Sequence, residues 1–173
     1  MLSIRRVWIP LAAAALGLIA IPAQAEESQF SAKLTGASQQ PEPTSSKATG
    51  ELKLIVSADG KKISYTLTVE NLRNPTGADM HLGPATANGP AVVKLFPVHG
   101  ANAKKGDFSG VLSEGTITAA DLAGSMLGSP LADLIEQIRE GNTYVNVHSD
   151  DGTPPANTGP GDYQLGEIRG QIK

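Results

Sequence analysis

The chain has 173 residues, with 14 basic and 17 acidic side chains, three histidines and no cysteine, for a formal net charge of −3 at pH 7. No basic stripe is available to contact phosphates, which argues against nucleic acid and against attraction to an anionic membrane. The missing cysteine removes disulfides, thiol nucleophiles, zinc ribbons and iron–sulfur ligation together.

Residues 1–25 have the three parts of an export signal. Arg5 and Arg6 form a positive start, Val7 to Ile21 form an apolar run, and Ala23-Gln24-Ala25 forms a small-x-small cleavage site. The run is shorter than the roughly 20 residues a spanning helix needs. Cleavage after Ala25 leaves residues 26–173 as a single domain, secreted or periplasmic, with no membrane span. Such a domain, lacking disulfides, must be held by packing alone.

The remainder reads as all-β. Phe30, Ala32 and Leu34 alternate with Ser31 and Lys33, the period-two mark of a half-buried strand. A turn-rich stretch, residues 36–47, carries Pro41 and Pro43. Leu52, Leu54 and Val56 then lead through Ala58-Asp59-Gly60-Lys61 to Ile63, Tyr65, Leu67 and Val69, a hairpin by its Asp-Gly turn. Shorter strands are predicted over 78–82, 91–96, 108–112, 143–148 and 167–172.

Residues 118–140 change period. A turn of helix is predicted over 119–122. Ser129 is placed as a helix cap with Pro130 at the first helical position, followed by Leu131, Leu134, Ile135 and Ile138. Gly141 stands where a left-handed C-terminal cap belongs. About eight short strands with Gly- and Pro-rich turns predict an antiparallel β-sandwich, with the helix as a crossover over one end or edge. The core is predicted to include Leu52, Leu54, Tyr65, Leu67, Val92, Leu95, Val145, Val147 and Ile168.

Four segments resemble the CHRD (chordin-type) domain family. They are Phe30-Ser31-Ala32-Lys33-Leu34-Thr35-Gly36, Ala78-Asp79-Met80-His81-Leu82-Gly83-Pro84 with Asn88-Gly89-Pro90, Gly141-Asn142-Thr143-Tyr144-Val145-Asn146-Val147-His148, and Gly166-Glu167-Ile168-Arg169-Gly170-Gln171-Ile172. The resemblance implies a secreted β-sandwich module of immunoglobulin-like or superoxide-dismutase-like architecture, with no established catalytic activity. The chain departs from the family where Asp79 replaces a histidine, where Gln39 replaces a glutamate, and in a longer loop over 149–165.

Period two places Asp79 and His81 on one strand face, and Tyr144, Asn146 and His148 on another, with Glu167 and Arg169 on a third. If those strands are neighbours, Asp79, His81, His148 and Glu167 converge into a set suited to zinc, copper(II) or iron(II). The preferred reading is structural, with the histidines as hydrogen-bonders that fix the loop over 84–90. His99 is expected in a solvated loop. No Gly-x-Ser-x-Gly elbow or phosphate-cradling motif occurs, so enzyme chemistry is unsupported. The acidic loop from Asp150 to Asp162 lacks the calcium spacing of an EF-hand and reads as solvated turns. The function expected is a non-enzymatic binding module for an unknown extracytoplasmic protein or small ligand. The alternative is a protein that binds copper or zinc outside the cytoplasm.

Overall fold

The computed structural model describes residues 26–96 and 104–173; the predicted export signal, residues 1–25, and His99 lie outside them. Alternating apolar residues build β1 (Ser28–Thr35), β2 (Thr49–Val56) and β3 (Ile63–Arg73). They continue through β4 (Pro75–Leu82), β5 (Ala91–Phe96) and β6 (Asp107–Ile117). After the helix α1 (Leu131–Arg139) come β7 (Thr143–Ser149) and β8 (Ile168–Gln171).

The eight strands run in the order β5-β4-β7-β8-β1-β2-β3-β6, every neighbour antiparallel. The predicted antiparallel all-β class, with little helix, is what the chain forms. The sheet curls until its two edge strands approach. There the Tyr65 hydroxyl and the Ser113 hydroxyl both donate to the Leu95 carbonyl, at 3.0 and 2.6 Å. Side chains therefore bridge the one gap in a nearly closed, barrel-like ring.

Eight of the nine predicted core residues are buried; Tyr65 is only partly so, because its hydroxyl reaches from β3 to the seam between β5 and β6. The strand predicted over 108–112 extends from Asp107 to Ile117. Gly110, Ser113 and Gly115 blur its alternation, and the β3 ladder carries it across them with two register shifts. One shift, between Val69 and Leu72, contains Asn71 at a φ of 55°. It rephases the strand so that Leu72 is buried.

The helix begins one residue later than predicted. Pro130 is extended and occupies the cap position, so Ser129 sits too early to cap anything. Leu131, Leu134, Ile135 and Ile138 are buried as their spacing requires. At the far end Gly141, at a φ of 67°, donates to the Ile138 carbonyl and Asn142 to that of Gln137. That pair of bonds is a Schellman cap, and it turns the chain straight into β7.

Candidate functional site

Strands β4, β7 and β8 are neighbours, and their pairing decides which polar side chains meet. Asp79 lies opposite Asn146, and His81 opposite Tyr144. Asn146 in turn lies opposite Arg169, and Tyr144 opposite Gln171. A polar sheet face facing water would leave these groups exposed. Instead Tyr144, Asn146 and Arg169 are all buried, because three loops roof the face.

The loop over 83–90 is the most heavily tied. The Arg169 guanidinium donates to Asn88 Oδ1 at 2.8 Å and to the Pro84 and Ala87 carbonyls at 2.8 and 2.9 Å. It also lies 3.6 Å from the centre of the Tyr144 ring. The Tyr144 hydroxyl accepts from the Gly89 N–H at 3.0 Å, and the Gln171 amide donates to the Gly83 carbonyl at 2.9 Å. Buried charge is costly unless each donor is satisfied, and here carbonyls and a π face do so without any carboxylate. Burial pulls the guanidinium below its usual pKa, and the Tyr144 hydroxyl acts in the opposite direction.

The loop over 36–47 reaches the same face. Gln39 donates to Asn146 Oδ1 at 2.6 Å, and Ser46 donates to Glu167 Oε1 at 2.6 Å. The loop over 150–166 completes the roof: Asn146 donates to the Leu165 carbonyl, and Glu167 accepts from the Gly161 N–H and the Ser149 hydroxyl.

Three of the four predicted ligand residues come together. Asp79, His81 and His148 offer ligand atoms that all lie within 4.8 Å of one another. His148 Nε2 is 3.6 Å from Asp79 Oδ2. Both imidazoles are fixed through their other nitrogen. His81 Nδ1 is 2.9 Å from the Gly89 carbonyl oxygen and His148 Nδ1 is 2.9 Å from that of Gln164. A carbonyl only accepts, so Nδ1 carries a proton in each ring, and in the neutral ring Nε2 is the nitrogen left with a lone pair. The histidines thus hold two loops, His81 the one over 83–90 and His148 the one over 150–166.

His81 also stacks on Tyr144, centroids 4.8 Å apart and planes 11° from parallel. Burial pushes its pKa down, most strongly of the influences on it; the Gly89 carbonyl and Asp79 pull it up, while His148 and Arg169 push it down further. Its Nε2 is buried with no hydrogen-bond partner among the described residues.

Glu167 does not join the cluster. Strand β8 starts at Ile168, so the alternate-face rule does not reach Glu167. Its carboxylate is buried among Ser46, Ser149 and Gly161, while Arg169 serves a different loop. Among the described residues neither meets an opposite charge. A second acidic group, Asp150, Asp151 and Asp162, forms in the loop after β7, its first two members engaged in turns with Gly152 and Thr153.

Sequence reasoning missed Arg169 and Tyr144 as the clamp on one loop, and Gln39, Ser46 and Ser149 as parts of the roof. For Tyr144 and Arg169 the signal was present, as polar side chains at regular strand positions; Gln39 and Ser46 lie in a loop and carried none.

A family model described as the CHRD domain matches residues 30–172. Among curated proteins, no relative matches the chain.

Proposed function

The chain belongs to the CHRD domain family, and on that basis we propose that it works as an exported, non-enzymatic binding module. Residues 1–25 serve as the export signal; the family segment begins at residue 30, so they stand apart from the domain as a removable leader would. The mature domain, residues 26–173, acts in the periplasm or outside the cell. Among the described residues no helix is long and apolar enough to cross a membrane.

The curled sheet supports the finer reading of a sandwich of immunoglobulin-like or superoxide-dismutase-like architecture. Strands β8 and β1 pair at Thr35 with Arg169 and bond reciprocally between Ser31 and Lys173, so their junction is the waist between two four-stranded halves of the sheet.

The observation that carries the binding role is the contrast within the loops. Their bases are held by buried Arg169, Asn146 and Glu167, yet residues 84–88 and 151–158 are exposed, and Leu165 is 82% exposed. Loops positioned by a rigid sheet are where binding residues concentrate. The ligand is an extracytoplasmic protein or small molecule that docks across the two loops.

Intact-mass measurement of the exported protein tests the first half, with loss of residues 1–25 expected. For the second half, cross-linking in the envelope fraction identifies the ligand. Its affinity is then compared between wild type and a Thr86→Arg, Leu165→Asp double variant. A tenfold or greater weakening at an unchanged unfolding midpoint is expected. Equal affinity would place the binding surface elsewhere.

A further inference from the structure

We propose that Asp79, His81 and His148 form a binding site for a borderline divalent transition cation, zinc or copper(II), with Glu167 outside it. The three residues come from adjacent strands, β4 and β7, so the sheet rather than a flexible loop sets their spacing. Tetrahedral zinc with ligands at about 2.0–2.1 Å places its donor atoms about 3.3 Å apart. His148 Nε2 and Asp79 Oδ2 are already 3.6 Å apart, and the full set lies within 4.8 Å.

The second observation is independent of that spacing. Each imidazole gives its Nδ1 proton to a backbone carbonyl, His81 to Gly89 and His148 to Gln164. This is the outer-shell arrangement that orients metal-binding histidines and leaves Nε2 free. In His81 that Nε2 is buried and has no hydrogen-bond partner among the described residues, a cost that a metal–nitrogen bond would remove. The other two members remain partly accessible, Asp79 at 15% and His148 at 16% side-chain exposure, so an ion has a way in. Two imidazoles and one carboxylate, with no sulfur, select zinc or copper(II) over calcium and magnesium, which prefer all-oxygen sets. Three protein ligands leave one coordination position for water or an external ligand.

The test is calorimetric titration of the mature protein with zinc chloride, together with the visible spectrum of the cobalt(II) complex. One ion per chain and a tetrahedral cobalt spectrum are expected. Loss of an outer-shell partner typically costs 10–100-fold in metal affinity, so loss of a ligand in His148→Gln should cost about 100-fold or more. Asp79→Asn, which keeps the side chain's shape, provides the second variant should the first fail to fold. The control is Asp150→Asn with Asp151→Asn, which should bind zinc as wild type does. Wild type that binds no zinc, ligand variants that bind it equally well, or loss of binding only in the control would each overturn the site.

Discussion

The guanidinium carbon of Arg169 sits over the Tyr144 ring, 3.6 Å from its centre. From the strand on the other side of β7, His81 stacks on the same tyrosine. Three planar groups from three neighbouring strands thus carry the loop over 83–90, and the loop inherits its position from the sheet. Lysine has the charge of arginine but not its planar fork. Arg169→Lys should therefore lose most of the bonds to Asn88, Pro84 and Ala87 and destabilise the protein by about 2–3 kcal/mol. Urea denaturation measures the loss, and amide exchange should show it first in residues 83–90. A loop protected as in wild type would mean that Arg169 is not its anchor.

Much of this was legible in the sequence. The centres of β1, β2 and β3 follow from alternation, because each has one face against the core and the β1–β2 and β2–β3 ladders are regular; β5 lies at its predicted 91–96, although its ladder with β4 carries two register shifts. Alternation also placed Asp79 with His81, and Tyr144 with Asn146 and His148. It did not show that this polar face is roofed, since the loops that cover it are distant in sequence. Gln39 meets Asn146 and Asn88 meets Arg169 only after the sheet has formed. Glu167 misled because a pattern rule was extended one residue past the end of its strand.

Glu167 accepts from two hydroxyls and one backbone N–H, all donors. A carboxylate can receive them together, whereas a glutamine turns two of its own donors toward the same groups. Glu167→Gln should leave a buried donor unsatisfied and cost about 1–3 kcal/mol. Exchange of the Gly161 amide should quicken in parallel. Unchanged stability and exchange would show that water replaces the lost acceptor.

The β2–β3 hairpin supplies a titration that reports on a turn. Asp59 has its pKa held below the ordinary 3.8, chiefly by the Ser57 hydroxyl at 2.7 Å and next by the Lys61 N–H at 3.1 Å. A carboxyl depressed in the folded state stabilises it above the ordinary value, and the gain fades as pH falls through the depressed one. The side chain is exposed, so the effect on global stability is small. Carboxyl NMR titration should find Asp59 below 3.8 in wild type and nearer to it in Ser57→Ala. The same titration point in both proteins would remove Ser57 as the cause.

The waist between β8 and β1 depends on a residue without a side chain. Gly170 pairs with Val145 in β7, and a Cβ added to it would stand 2.5 Å from the Lys33 carbonyl oxygen and 3.2 Å from the Ala32 Cβ. The nearest obstacle is backbone, which cannot swing aside as a long side chain can. Around it the junction is held by one paired position, by the reciprocal bonds between Ser31 and Lys173 at 2.9 and 3.0 Å, and by the Gln39 and Ser46 bonds to Asn146 and Glu167. A methyl group there must push the two halves of the sheet apart. Overpacking costs about 1–3 kcal/mol where neighbours can yield, and Gly170→Ala should fall at the upper end or beyond. Gly159→Ala is the matched control, because nothing lies within 4 Å of a Cβ at that position. It should change stability by no more than about 0.5 kcal/mol. The decisive readout is local: in Gly170→Ala the Ser31 and Lys173 amides should exchange faster than those of the β2–β3 ladder, which the substitution does not touch. Uniform weakening of both regions would mean that the sheet yields as one body and that the waist is not a point of separation.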